Sequence, residues 1–127
     1  MPFEVINAGD GSYNIPGGLY VVRDQSELEA FWTRLQELRG QSPAPPVVAW
    51  SSVFALFVLL GTRATGGYRV SIEQVALNGN DVRVCALELT PPAEAATTQA
   101  LTAPYQMATV PKFNGTAELS MRSEPRW

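Results

Sequence analysis

Twelve carboxylates, nine basic side chains, a single cysteine and no histidine are what this chain of 127 residues brings to any chemistry. Without imidazole there is no Ser-His-Asp triad, no histidine general base and no ordinary catalytic zinc site. Cys85 stands alone, which excludes an internal disulfide and a multi-thiolate metal site. The carboxylates do not assemble into an acid/base dyad. Glu27, Glu29 and Glu37 fall off the apolar stripe of a predicted helix, Asp81 falls in a turn, and Glu73 and Glu88 fall on the polar side of a predicted hairpin. Each reads as a solvated surface charge. Cys85 is expected on the packed side of that hairpin as an inert thiol, since nothing nearby in the sequence would activate it. The expectation is a chain with no catalytic residues, no metal and no cofactor, and therefore not an enzyme.

The segment with the most unusual chemistry is Gly61-Thr62-Arg63-Ala64-Thr65-Gly66-Gly67-Tyr68. Gly66-Gly67 permits positive φ and close backbone approach, so the chain can turn sharply there and offer unpaired amides. It is not a phosphate-binding P-loop, because no Gly-Lys-Ser/Thr follows and a strand comes next. One reading is a tight connection anchored by Tyr68; the other is a shaped loop that docks on a partner protein or an anion. In the docking reading Arg63 supplies directional hydrogen bonds, the glycines backbone access, and Tyr68 or an exposed neighbour an aromatic anchor.

The elements that must hold this loop follow from periodicity. Leu28, Phe31, Trp32, Leu35 and Leu38 recur at helical spacing, with Ser26 and Glu29 as a capping-box pair and Gly40 as a stop, so a helix is expected over about 27–39. Leu19 to Arg23 reads as a short strand. Trp50 to Leu60 is apolar on both phases, as in a central strand covered on both sides. Tyr68 to Leu77 and Val82 to Leu89 flank Asn78-Gly79, a strong hairpin signal. The register expected there pairs Leu77 with Asn80, Arg69 with Glu88 and Ile72 with Cys85; near the turn the phase switches, which implies either a bulge near Gln74 or local cover. A second hairpin is expected around Asn114-Gly115, placing Val110 opposite Leu119, with Pro111 on an edge or at an unpaired position. Gln41–Pro46 and Thr90–Thr98 read as loops. The sum is mainly β (α+β): a small antiparallel β-sandwich or open barrel with one amphipathic α-helix and little parallel pairing, folded as a single domain over 1–127.

A net charge of −3 disfavours nucleic acid as a partner. The longest apolar run, Val47 to Leu60, is shorter than the roughly 20 residues a spanning helix needs, so no membrane span is expected. Met1 to Asp10 has no basic and apolar signal-peptide regions, which reads as cytoplasmic. An open sheet edge also offers a route to a homodimer.

The apolar strand Phe54–Gly61, the loop Thr62–Tyr68, the Asn78-Gly79 hairpin and the late Pro104-Tyr105 to Pro111-Lys112 element together resemble the C-terminal domain of PrcB-type protease-complex subunits. The resemblance covers about Val47 to Lys112 and departs from the family pattern at Ala64, where the family carries proline. It implies a non-catalytic domain that binds or stabilises a protease or protease complex, and a place in the cell envelope or outside it. The residues implicated are Arg63, Thr65, Gly66, Gly67 and Tyr68, with Pro111 and Lys112 as a second patch. Thr65-Gly66-Gly67-Tyr68 is also similar, over one short loop, to chagasin-type protease inhibitors. Two alternatives therefore stay open beside the accessory domain: a direct protease inhibitor using the 61–68 loop, and a small-ligand-binding β-sandwich with a pocket lined by Trp32 and Trp50.

Overall fold

A computed structural model describes residues 1–37, 43–91 and 101–125. Its elements in chain order are β1 (Glu4–Asp10), β2 (Gly18–Val22), α1 (Gln25–Leu35), β3 (Val53–Leu59), β4 (Arg69–Asn78), β5 (Asp81–Thr90), β6 (Pro104–Pro111) and β7 (Ala117–Pro125). They form a four-stranded antiparallel sheet of order β1-β6-β3-β2 and a three-stranded sheet of order β4-β5-β7. The fold is therefore the expected mainly β, sandwich-like α+β arrangement, and the described strands do not close into a barrel.

β3 explains the layering. Its apolar residues occupy both phases, so it must be covered on both faces. Leu56 and Val58 pack, with the following Leu60, between the sheets against Val70, Ile72, Val75, Val84 and Ala108. Ala55, Phe57 and Leu59 point the other way, onto Leu28, Trp32 and Leu35 of α1. The result is three layers: helix, four-stranded sheet, three-stranded sheet.

The helix begins two residues earlier than the sequence suggests, at Gln25 rather than about Glu27. Asp24, extended at φ −153° and ψ 174°, caps it by accepting from the Glu27 N–H at 2.8 Å, and Glu27 Oε1 accepts from the Arg23 N–H at 3.1 Å. The capping residue is thus Asp24 rather than Ser26, with Glu27 rather than Glu29 reaching back to the chain before it, because Asp24 is the last residue with non-helical backbone and an acceptor side chain. The helix ends at Leu35 with Gln36 as its C-cap, short of the expected end at Arg39. Arg39, the expected stop Gly40, the first two residues of Gln41–Pro46 and most of Thr90–Thr98 lie outside the described residues.

The β4–β5 hairpin forms, shifted by one residue. Asn78 pairs with Asp81, so Gly79-Asn80 is the two-residue turn. Only Gly79 takes positive φ (65°), which is the type II′ pattern, whereas a turn on Asn78-Gly79 would force Asn78 there too. The shifted turn alone keeps the same faces together; the extra residue at Glu73 exchanges them, pairing Val70 with Glu88 and Ile72 with Ala86. Arg69 lies opposite Leu89, not Glu88, and Cys85 pairs with Gln74 on the outer face, half-buried rather than packed in the core. Val82, Val84, Ala86 and Glu88 point inward. The bulge does occur, between Ile72 and Gln74.

The second hairpin does not form. β6 pairs with β1 and β3, while β7 crosses to the other sheet and pairs in parallel with β5, Val84 opposite Leu119. The parallel pairing reverses the expectation for this chain. Its cause lies at the connection: Phe113 is buried against Phe54, and Gly115 docks on the β4–β5 turn, its N–H donating to Asn80 O at 2.8 Å. Asp81 Oδ1 then accepts from the Thr116 N–H at 2.9 Å, and the Val82 N–H donates to Thr116 O at 2.9 Å. Gly115 has no positive φ, so the chain passes through the Asn114-Gly115 pair without a reverse turn of the favoured kind. Pro111 is the last residue of β6, beyond the end of the β1 pairing at Glu4 opposite Thr109, so its missing N–H leaves no gap on that side.

Candidate functional site

The chain leaves β3 through Gly61 at φ 79° and enters β4 through Gly67 at φ 93°, two left-handed positions that bracket the loop. Between them, Arg63 forms a two-bond bridge with Thr102: the Arg63 N–H donates to Thr102 O at 2.7 Å and the Thr102 N–H donates back at 2.9 Å. Thr102 Oγ1 also donates to Thr65 O at 2.9 Å. The backbone of the loop is thereby tied to the strand segment that leads into β6.

The Arg63 side chain ties it to the second sheet. Its Nε and Nη2 each lie 2.9 Å from Glu88 Oε2, and Ser123 Oγ of β7 donates to Glu88 Oε1 at 3.1 Å. Glu88 is 9% exposed. The bulge at Glu73 accounts for this: it sets Glu88 opposite Val70 and so turns inward a side chain that the sequence places in solvent. The guanidinium also sits 5.6 Å from the centre of the Tyr68 ring, an added cation–π contact. Arg63 and Tyr68 thus latch the loop to its own sheet, and a loop carrying Ala64 instead of proline is held by this latch.

What the loop presents outward is Thr62 and Ala64, both exposed, with Thr65, Gly66 and Gly67 half-buried. Two exposed neighbours from distant sequence join them. Thr62 Oγ1 donates to Tyr13 O at 3.1 Å, and the Tyr13 hydroxyl donates to Leu101 O at 2.9 Å. Tyr13 is 40% and Leu101 49% exposed. The sequence reading allowed for an exposed aromatic neighbour without naming it; Tyr13 is that neighbour, and only the folding of β1's exit loop against Thr62 identifies it.

Pro111 and Lys112 do not join this surface. β3 and β6 run antiparallel, with Leu59 opposite Tyr105 at the loop end and Val53 opposite Pro111 at the other. A strand of this length separates the two by roughly 20 Å. Lys112 Nζ lies 5.7 Å from the Phe54 ring centre, and Arg23 lies 5.4 Å from the same ring. This distal end is a separate cationic patch.

The remaining candidates fall out of the chemistry. Glu73 and Glu124 both pair with Arg122, and Glu118 pairs with Arg83 at 2.9 Å. Glu73 first, then Glu124, hold the Arg122 guanidinium above its ordinary value. Among the described residues no three His, Cys, Asp or Glu side chains come together as a metal-binding group. Trp32 is buried with its Nε1–H donating to Pro43 O at 2.8 Å, and Trp50 donates to Gln25 Oε1 at 2.8 Å. The groove beside the helix is lined instead by β2 and the opposite flank of α1. No described helix is long and apolar enough to cross a membrane.

A helix on one sheet, a second sheet beneath it, and a loop fastened across the end define a small α+β sandwich-like protein. Residues 54–111 match the family model described as PrcB C-terminal. The match runs from β3 through the Arg63–Tyr68 loop and the β4–β5 hairpin to the end of β6. No curated protein and no solved structure shows a significant match.

Proposed function

We propose that residues 1–127 act as one non-catalytic accessory domain that binds or stabilises a protease or protease complex, docking through the 61–68 loop. The observation that carries this reading is the PrcB C-terminal match, which includes every residue of that loop. The contact surface is the outer side of the loop, Thr62, Ala64, Thr65, Gly66 and Gly67, flanked by Tyr13 and Leu101. Arg63 and Tyr68 act from behind it as the latch. A surface fixed in advance loses less conformational freedom when a partner binds. Exposed tyrosine is the residue type that most often anchors such contacts. Pro111 and Lys112 serve a second contact at the far end of the domain. The non-catalytic part of the reading draws support from the carboxylates: Glu73, Glu88, Glu118 and Glu124 each face an arginine, as structural ion pairs do.

The test is affinity capture from native lysate with the wild-type chain, Tyr13→Ala and Ala64→Arg, neither of which touches the latch. The wild type is expected to retain a protease or protease-complex subunit, and both variants to lose it. Retention of the same partners by folded variants would remove the loop from the interface. Adding the chain to the captured protease separates tethering, which leaves its activity intact, from blockade of its cleft.

A further inference from the structure

The two sheets expose four edges, and three of them carry devices that discourage further pairing. β1 has a register irregularity between Val5 and Asn7 and charged ends at Glu4 and Asp10. β4 has the bulge at Glu73 and begins at Arg69. β7 carries Arg122 and Glu124 and ends on Pro125. β2 has none of these. Its five residues, Gly-Leu-Tyr-Val-Val, pair with β3 in unbroken register, and among the described residues no strand pairs its other side.

Along that open side runs a groove of about 500 Å³ between β2 and α1. Four consecutive β2 residues, Leu19 to Val22, line it together with Glu27, Ala30, Phe31 and Arg34. Consecutive strand residues alternate between faces, so a groove touching all four follows the backbone edge. The helical residues, at spacings of three and four, form one stripe with a carboxylate at one end, a guanidinium at the other and Ala30-Phe31 between. The Phe31 ring packs on Tyr20 with centroids 5.1 Å apart, which sets the middle of the stripe beside the middle of β2.

We infer that β2 is a self-association edge, and that its occupant is β2 of a second copy of this chain, paired antiparallel about a two-fold axis at Tyr20. The pattern of the stripe is what selects a second copy. A two-fold at Tyr20 sets Gly18 against Val22 and Leu19 against Val21 of the other copy. It runs the two helices antiparallel, bringing each Glu27 to the opposite Arg34 and the Ala30-Phe31 centres together. An isologous interface must be self-complementary in this way, acid to base twice. The paired sheets become one continuous eight-strand sheet, which removes the unprotected edge. Nothing in this pairing uses the 61–68 loop, which lies at one end of the sheet and not along its β2 side.

The test is sedimentation velocity across micromolar concentrations on the wild type, Glu27→Arg, Arg34→Glu and an equimolar mixture of the two variants, with circular dichroism to establish folding. The wild type is expected to dimerise. Each variant alone faces like charge twice, and its dimer dissociation constant should rise by about tenfold or more. Mixed, the variants restore both opposite-charge contacts, so heterodimers should form. A monomeric wild type overturns the proposal, and so does a dimer indifferent to both substitutions, or a mixture of folded variants that stays monomeric.

Discussion

The backbone N–H of Ile72 donates to the side-chain oxygen of Gln106, 2.6 Å away, across the gap between the two sheets. β4 is an edge strand, and its ladder shifts between Ile72 and Gln74. The amide of a residue on β6 therefore supplies a partner to a strand that belongs to the other sheet. Gln106 shares the inward face of β6 with Ala108 and Val110, where an unpartnered N–H would be poorly hydrated. Gln106→Leu keeps the volume and removes the acceptor. It should cost about 1–3 kcal/mol in urea denaturation and speed amide exchange at Ile72 ahead of its strand neighbours. Unchanged exchange at Ile72 would show that this bond does not join the sheets.

Gly115 marks the chain's passage from one sheet to the other, and its lack of a side chain is what the passage requires. A Cβ placed there would lie 2.3 Å from the Asn80 carbonyl oxygen and 2.2 Å from Asp81 Oδ1. At Gly79 a Cβ would meet nothing, but the residue sits at φ 65°. Gly115→Ala should therefore cost about 3 kcal/mol through overpacking against backbone. Gly79→Ala should cost only about 1 kcal/mol, from left-handed strain. Were 114–115 an open hairpin tip, the order would reverse, and thermal melts of the two variants decide it.

Much of this fold was legible because its signals were local. β3 announced two-sided burial by being apolar on both phases, and α1 by a stripe that needs only itself to be recognised. The hairpin at Gly79 was visible to within one residue. The bulge mattered more, since one extra residue on β4 changes which side chains share a face and moved Glu88 from solvent to the inner face. The fate of Asn114-Gly115 was not legible at all. Its dipeptide has the composition of a hairpin turn, and it is overruled by Phe113 entering the core and by Asp81, which sits far away in sequence. The docking loop could be found from its glycines, but not its partners: Tyr13, Leu101 and Thr102 are set beside it only by tertiary packing.

The Arg63–Glu88 pair should break asymmetrically. Removing Arg63 leaves a carboxylate that is 9% exposed with only the Ser123 hydroxyl to bind. Removing the charge of Glu88 leaves a guanidinium whose side chain is 28% exposed and can turn to water. Arg63→Ala is expected to cost about 2 kcal/mol and Glu88→Gln about 1 kcal/mol. The double variant should recover part of the sum, since two residues in contact are not additive. Equal losses that add in full would mean that the pair is no more than a surface contact.

Glu37 gives the fold a dependence on acid. Its carboxyl accepts from Asn14 Nδ2 at 2.8 Å and from Ser12 Oγ at 3.0 Å, joining the end of α1 to the segment after β1. The Asn14 bond first, then the Ser12 bond, with the nearby Arg34 charge adding to both, hold it below its ordinary value of 4.5. A carboxyl depressed on folding stabilises the native state fully above its unfolded value, and that contribution disappears as pH falls through the folded one. The melting temperature of wild type should therefore exceed that of Glu37→Gln by its largest margin near neutral pH, and the margin should shrink below pH 4.5. Asn14→Ala should return the Glu37 midpoint, followed by NMR titration, toward its ordinary value. A margin that holds steady or widens in acid would mean that the two bonds do not favour the ionised form.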